Sequence, residues 1–86
     1  MSRLVWDRAA IRDLAAIARH DRRQADRIEA AVVRFAETAY GDVVALTASP
    51  GRYRLRVGDW RVIFEYQNGR TVVLALRVLN RRDAYR

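Results

Sequence analysis

The sequence predicts an α+β fold in which a helical hairpin packs on one face of a small antiparallel sheet. Apolar residues recur every three or four positions between residues 8 and 37, which indicates helices. From residue 52 onward they recur at every second position, which indicates strands. With 86 residues, the chain is long enough for one hydrophobic core. We therefore expect a single domain over residues 1–86, with the order β-α-α-β-β-β and a short helical turn at residues 81–86.

The first half is predicted to form one strand and two helices. Arg3–Trp6 is the strand, and Asp7 is placed to cap the helix that follows at residues 8–19. His20 and Asp21 form a short break, so the two helices should lie antiparallel. The apolar positions are Ile11, Leu14, Ala15 and Ala18 in the first helix, and Ala25, Ile28, Val32 and Phe35 in the second, which runs to about residue 37.

The second half is predicted to form a loop and three strands. The loop lies between Gly41 and Gly51, and three of its residues should pack against the core: Val43, Val44 and Leu46. Arg52–Val57 and residues 60–66 form a hairpin around a Gly-Asp turn, and an Asn-Gly turn leads into a third strand at residues 71–79. That third strand is apolar on both faces, so it should be central or covered on both sides.

Composition excludes several classes of function. The chain has no cysteine, which excludes disulfide bonds and thiolate chemistry, and its single histidine disfavours a zinc site. No apolar run approaches the roughly 18 residues of a membrane-spanning helix, and the N-terminus lacks the apolar stretch of a signal peptide. We therefore expect a cytoplasmic protein without a metal, a cofactor or a membrane contact.

The positive charge is concentrated in the C-terminal part of the chain. All 17 basic residues are arginine, and the formal net charge is +7. Residues 1–51 hold eight arginines against seven acids, whereas residues 52–86 hold nine against three. A basic region of this kind suggests a polyanionic partner, nucleic acid first, although a solvated basic surface explains the charge equally well.

The hairpin register places four arginines on one face of the sheet. If Gly58 is the first residue of a two-residue turn, Arg56 lies directly opposite Arg61, and Arg52 lies opposite Glu65. The four arginines on this face, called the arginine patch below, are Arg52, Arg54, Arg56 and Arg61. The opposite face, which the helices should cover, carries Tyr53, Leu55, Val57, Trp60, Val62, Phe64 and Tyr66.

A phosphate group would stabilise this arrangement. The Arg56–Arg61 pair costs roughly 0.2–1 kcal/mol through like-charge repulsion, and no neighbouring acid in the sequence clearly relieves it. Guanidinium groups bind phosphate oxygens bidentately, so the spacing favours phosphate binding over a basic edge that only deters aggregation. Arg81, Arg82 and Tyr85 follow the third strand and can fold back beside the patch. Tyr85 could stack on a base, transfer a proton or cap the core.

Two segments, residues 53–65 (YRLRVGDWRVIFE) and residues 76–86 (LRVLNRRDAYR), resemble the RelE/ParE superfamily of type II toxin–antitoxin toxins. The resemblance covers nearly the whole chain and is strongest for the RelE-like branch. It implies a helical hairpin on a small antiparallel sheet. It also implies an endoribonuclease that cleaves messenger RNA in the ribosomal A site without a metal, through attack of a 2′-hydroxyl on the adjacent phosphate to give a 2′,3′-cyclic phosphate.

The resemblance assigns a role to five residues. Arg61 would hold the scissile phosphate, Arg81 would assist the leaving 5′-oxygen, and Tyr85 would act as the base or stack on the target nucleotide. Arg54 and Arg56 would stabilise the charge of the phosphorane. Three further arginines are expected to bind RNA: Arg52, Arg82 and Arg86.

Three positions depart from the pattern of the superfamily's better-known members. Lysines stand there at the positions of Arg54 and Arg56, and arginine cannot give up a proton at neutral pH, so these two residues act only electrostatically. Asn80 replaces a histidine that many members carry, and His20 in the helix–helix break does not substitute for it. Two alternatives therefore stay open, a ParE-like protein that inhibits DNA gyrase without catalysis and an inactive homologue that only binds its antitoxin.

The expected partners are the ribosome, its messenger RNA and a cognate antitoxin. By resemblance, the antitoxin would wrap the toxin, with acidic side chains on the arginine patch. Val72, Leu74 and Leu76, on the patch side of the third strand, could receive its apolar side chains. Arg77 is predicted to lie on the helix side next to Trp60 and to be structural.

Overall fold

A computed structural model describes residues 1–83 and confirms the predicted fold class, because both helices pack on one face of an open sheet. The strands follow the spatial order β1-β5-β4-β3-β2. The elements are β1 (Arg3–Trp6), α1 (Arg8–His20), α2 (Arg22–Thr38), β2 (Asp42–Ala45), β3 (Arg52–Val57), β4 (Trp60–Gln67) and β5 (Val72–Asn80). No helix within residues 1–83 is long and apolar enough to cross a membrane.

Two aspartates define the helical hairpin, as the sequence predicts. Asp7 caps α1, since its carboxylate accepts a hydrogen bond from the N–H of Ala9 at 3.2 Å. Asp21 serves both helices: its N–H donates to the carbonyl of Ile17 at 2.8 Å, and its carboxylate accepts from the N–H of Gln24 at 3.1 Å. One residue therefore ends α1 and begins α2, which forces the chain to turn back on itself.

The predicted loop between Gly41 and Gly51 contains a strand. β2 pairs antiparallel with β3, where Val43 packs against the core and Val44 lies on the outer face with 48% of its surface exposed. The prediction that Val44 packs down is therefore wrong. A hydrogen bond from the N–H of Leu46 to the carbonyl of Arg52, 2.9 Å, extends the pairing beyond the strand.

The sheet is mixed rather than wholly antiparallel. β5 lies between β4, its antiparallel partner, and β1, which runs parallel to it. The third predicted strand is thus an interior strand with a neighbour on each edge, in agreement with the prediction from its apolar pattern. The direction of β1 follows from tertiary contacts, because the apolar pattern of a four-residue strand is the same for either direction.

The predicted register of the β3–β4 hairpin is confirmed. Arg56 lies opposite Arg61, and Arg52 lies opposite Glu65. Between β4 and β5, however, the register differs from the prediction for two reasons. The turn is longer than two residues, so Gln67 pairs with Val72, and a bulge beside Ile63 adds one more residue. As a result, Arg77 lies opposite Ile63, and Asn80, not Arg77, lies next to Trp60.

The core lies between the helices and the apolar face of the hairpin. Leu55, Val62 and Phe64 are at most 2% exposed, and the ring centroid of Phe64 lies 5.0 Å from that of Phe35 in α2. Gly41 allows β2 to approach this core, since a Cβ atom there would lie 2.7 Å from Cδ1 of Leu55. Both helices cover this face, so the arginine patch lies on the other, open face of the sheet.

Candidate nucleic-acid interface

The structure brings the arginine patch together on the open face, with different exposures for its members. Arg52 and Arg56 are exposed, Arg54 is half-buried and Arg61 is buried. Arg81 and Arg82 are exposed in the turn that follows β5. Tyr85 and Arg86, the other two residues assigned to the site, lie outside the described residues.

Arg61 is the only charged residue within residues 1–83 that is buried, with 7% of its surface exposed. Its Nη1 donates hydrogen bonds to two backbone carbonyls of the β3–β4 turn, to Gly58 at 2.9 Å and to Trp60 at 3.1 Å. Its Nε atom is also buried and has no hydrogen-bond partner among residues 1–83. Alternation predicts the face on which Arg61 lies, but not this depth.

The same turn holds Arg56. Its Nε donates to the carbonyl of Gly58 over a long 3.4 Å, so two guanidinium groups converge on one oxygen. Asp42 lies opposite Arg56 in the β2–β3 ladder. The sequence pattern does not indicate this acid near the patch, because it predicts a loop at the position of β2. No ion pair shorter than 4.0 Å joins the two within the described chain, so the like-charge pair keeps most of its repulsion.

Residues 81–83, the described part of the segment after β5, lie against this turn, in agreement with the prediction that the segment can fold back beside the patch. The N–H of Arg81 donates to the carbonyl of Asp59 at 2.8 Å, and the Arg81 guanidinium lies 4.0 Å from the Asp59 carboxylate. Asn80 shapes the segment, because its side-chain oxygen accepts from the N–H of Arg82 at 3.2 Å and its carbonyl accepts from the N–H of Asp83 at 2.9 Å. An open polar depression of about 490 Å³ lies over these residues.

At the other end of the patch, Arg52 is balanced by Glu65. Arg52 Nε lies 3.9 Å from a carboxylate oxygen of Glu65, whose other oxygen accepts a hydrogen bond from Gln67 at 3.3 Å. Both ion pairs of the site, Arg52–Glu65 and Arg81–Asp59, are long and solvent-exposed, and pairs of this kind contribute little. An incoming phosphate can therefore replace these carboxylates at small cost.

A second groove, on the helix side, contains residues that sequence analysis places outside the patch. It has a volume of about 560 Å³, and its walls include His20, Trp60, Arg77 and Asp13. Asp13 accepts from Arg77 Nε at 2.8 Å and from the N–H of Val78 at 2.8 Å, and this contact raises the pKa of Arg77. Arg77 thus contacts α1, in agreement with its predicted place on the helix side, although it does not pair with Trp60. Nothing in the sequence pattern distinguished Asp13 from other helix acids.

Family comparison agrees with this fold. The family model for the ParE toxin of the type II toxin–antitoxin system parDE matches residues 4–85. A comparison with the curated proteins finds no significant sequence match.

Several solved structures are similar to the chain. The YoeB/ParE toxin from Agrobacterium tumefaciens has a TM-score of 0.75 at 17% identity, and the match covers 91% of this chain and 96% of that one. The RelB–RelE antitoxin–toxin complex from Methanococcus jannaschii has a TM-score of 0.70 at 23% identity, with 94% of each chain covered. The chromosomal ParDE system from P. aeruginosa has a TM-score of 0.76 at 21% identity, with coverages of 93% and 96%. At these identities the likeness establishes the fold.

Proposed function

Because the chain belongs to the ParE toxin family of type II toxin–antitoxin systems, within the RelE/ParE superfamily, we propose that it is the toxin that cleaves messenger RNA on the ribosome. The reaction would need no metal: the ribose 2′-hydroxyl attacks the adjacent phosphate, the 5′-oxygen leaves, and a 2′,3′-cyclic phosphate remains. The proposal places the reaction in the cytoplasm, where ribosomes and messenger RNA are found.

One observation carries the proposal: arginines from three separate segments meet at the β3–β4 turn, and among residues 1–83 their only ion pair is the long, exposed one between Arg81 and Asp59, at 4.0 Å. Arg56 comes from β3, Arg61 from β4 and Arg81 from the turn after β5. Concentrating permanent positive charge in this way is unfavourable unless an anion is bound. A phosphodiester passing through a phosphorane gains negative charge, which preorganised guanidinium groups stabilise most strongly in the transition state.

Each arginine of the site would have its own role in the reaction. Arg54 and Arg56 stabilise the phosphorane oxygens, Arg81 assists the leaving oxygen, and Arg61 adds charge from beneath the surface. None of these can serve as a base, since arginine stays protonated at working pH. Proton abstraction would therefore fall to Tyr85, as the resemblance implies.

Antitoxin binding would use the same open face. The M. jannaschii structure is an antitoxin–toxin complex, which supports a cognate antitoxin for this chain as well. Val72, Leu74 and Leu76 alternate with buried residues along β5 and are only half-buried. An antitoxin segment with apolar residues over this strip and acids over the arginine patch would block the RNA site directly.

The proposal predicts that Arg56→Ala abolishes most cleavage. The purified protein is mixed with ribosomes stalled on a defined message, and the new 5′ ends are mapped by primer extension. We expect cuts within the A-site codon and a rate about a hundredfold to a thousandfold lower for Arg56→Ala, because one preorganised donor to the developing charge is lost. Tyr85→Phe tests the base in the same assay.

Arg27→Ala is the matched control, since it removes an exposed arginine from α2 on the other side of the sheet. It should cut like the unaltered chain. A protein that leaves every message intact at micromolar concentration, or an Arg56→Ala variant that cuts normally, would contradict the nuclease.

The burial of Arg61 favours a second candidate function, in which the protein binds DNA gyrase and inhibits it without catalysis. An arginine with 7% of its surface exposed and with Nη1 already bonded to backbone carbonyls is a poor phosphate ligand, and the matching family model is that of the ParE toxin. A supercoiling assay with gyrase and relaxed plasmid separates the two functions. Inhibition of supercoiling, without message cleavage, would assign the protein to this class.

A further inference from the structure

Three consecutive backbone carbonyls form the centre of the site. Those of Gly58, Asp59 and Trp60 accept hydrogen bonds from Arg56 Nε, the Arg81 N–H and, twice, Arg61 Nη1. The three arginines come from different segments of the chain, and what they share is a hydrogen bond to the backbone of the β3–β4 turn. A backbone carbonyl carries a partial negative charge, so the cluster of arginines also stabilises the turn in return.

We infer that the Gly58–Asp59 turn positions the phosphate-binding arginines, and that Arg61 acts through this turn instead of contacting the phosphate. The inference rests on the proposed function and names positioning residues for it. Arg61 is nearly inaccessible, and its Nη1 is committed to the turn. Arg56 and the Arg81 side chain remain exposed around the same turn. Their contacts there are long, 3.4 Å from Arg56 Nε to the Gly58 carbonyl and 4.0 Å from Arg81 to Asp59, so both can bind the phosphate.

The backbone of Gly58 makes this arrangement possible. Its φ is +60°, as a two-residue hairpin turn with glycine in its first position requires, and a Cβ atom built there would meet nothing within 4 Å. A side chain at this position therefore has room, and only the backbone conformation limits it. Asparagine is well tolerated in such turns, whereas β-branched valine strongly resists a positive φ.

Salt dependence of RNA binding distinguishes a phosphate ligand from a positioning residue. For single-stranded RNA, the slope of log K against log salt falls by about 0.7 for each phosphate contact that is lost. The probe is a fluorescent RNA dodecamer, and its affinity is measured by anisotropy over a range of salt concentrations. We expect Arg56→Gln to reduce the slope by about 0.7, and Arg61→Gln to weaken binding with the slope unchanged.

The two Gly58 variants leave every arginine in place. Gly58→Val should weaken RNA binding about tenfold with an unchanged slope, and should speed exchange of the Arg81 amide, which donates to Asp59. Gly58→Asn should stay close to the unaltered chain in both measurements. Chemical denaturation of each variant shows how much of any loss is global unfolding.

Three results of these experiments would contradict either the positioning role of Arg61 and the turn or the proposed nuclease. If Arg61→Gln lowers the slope as much as Arg56→Gln does, Arg61 is a direct phosphate ligand and the inference is wrong. It is also wrong if Gly58→Val and Gly58→Asn bind RNA equally well. A chain that shows the expected slopes but cuts no message on ribosomes would overturn the proposed nuclease and keep the positioning role, because the dodecamer assay requires no cleavage.

Discussion

Asp13 shows how a single carboxylate joins a helix to the sheet. β1 pairs with β5 only as far as Ala75, and beyond that point the N–H of Val78 donates to Asp13 in α1. The same carboxylate accepts two hydrogen bonds from Arg77, from Nε at 2.8 Å and from Nη2 at 3.2 Å. Asp13 thus continues the hydrogen bonding of an edge that β1 leaves open.

Asp13→Ala should lower the free energy of unfolding by about 2–3 kcal/mol, since it removes a charge-assisted pair and leaves the Val78 N–H without its acceptor. Urea denaturation of both proteins measures this. Asp26→Ala, which breaks the exposed pair with Arg22, should cost less than about 0.5 kcal/mol.

The raised pKa of Arg77 means that the Arg77–Asp13 pair stabilises the fold below the ordinary pKa of arginine. Its contribution should therefore not fall between about pH 6 and 9. If Asp13→Ala and Asp26→Ala lost equal free energies of unfolding, the contacts of Asp13 would contribute no more than an exposed ion pair.

At the scale of elements, the strand β2 changes the site most. It extends the sheet beside β3 and places Asp42 and Val44 on the open face, next to Arg56 and Arg54. Its four residues are too few to show a period of two, and a glycine and a Ser-Pro-Gly run flank it, so a loop is the natural interpretation. Pairing with β3, a long-range contact, makes it a strand.

The end of α2 offers a stabilising change. Ala39 closes the helix in the left-handed region, with φ at 63°, and its N–H donates to the carbonyl of Phe35. Glycine takes this conformation without a steric penalty, so Ala39→Gly should raise the free energy of unfolding by about 0.5–1 kcal/mol. Thermal denaturation checks this prediction. The matched change Ala45→Gly in β2 should lower stability, and a loss in both variants would mean that chain entropy outweighs the strain at Ala39.

At the scale of the molecule, the arginine patch and the segment after β5 carry most of the net charge of +7, and the apolar core lies on the other side of the sheet. The fold therefore tolerates the repulsion, because no core packing depends on it. The same separation leaves one face free for a polyanion or an acidic antitoxin segment.

Phosphate should stabilise the whole protein more than chloride does at equal ionic strength. Screening is the same in both salts, so the difference reports binding of the anion to the folded state alone. We expect the Tm to rise with phosphate concentration, and the advantage over chloride to shrink in Arg56→Ala but not in Arg27→Ala. Identical Tm values in the two salts would argue against a phosphate site.

Local rules were enough to predict the helices, the hairpin and the membership of the arginine patch. Capping by Asp7 and Asp21, a period of two and a Gly-Asp turn are all properties of neighbouring residues, so they can be read before folding is considered. The interior position of the last strand, between β1 and β4, was also predicted, from its apolar residues on both faces.

Other features depended on contacts between distant parts of the chain. The pairing of β2, the parallel direction of β1, the bulge beside Ile63 and the contact of Asp13 with β5 all join residues that are far apart in sequence. The burial of Arg61 is of the same kind. Alternation assigns a side chain to one face of the sheet, but how deeply that side chain is buried depends on the strands and turns packed around it. At Arg61, the degree of burial decides between two roles, direct binding of phosphate and support of the β3–β4 turn.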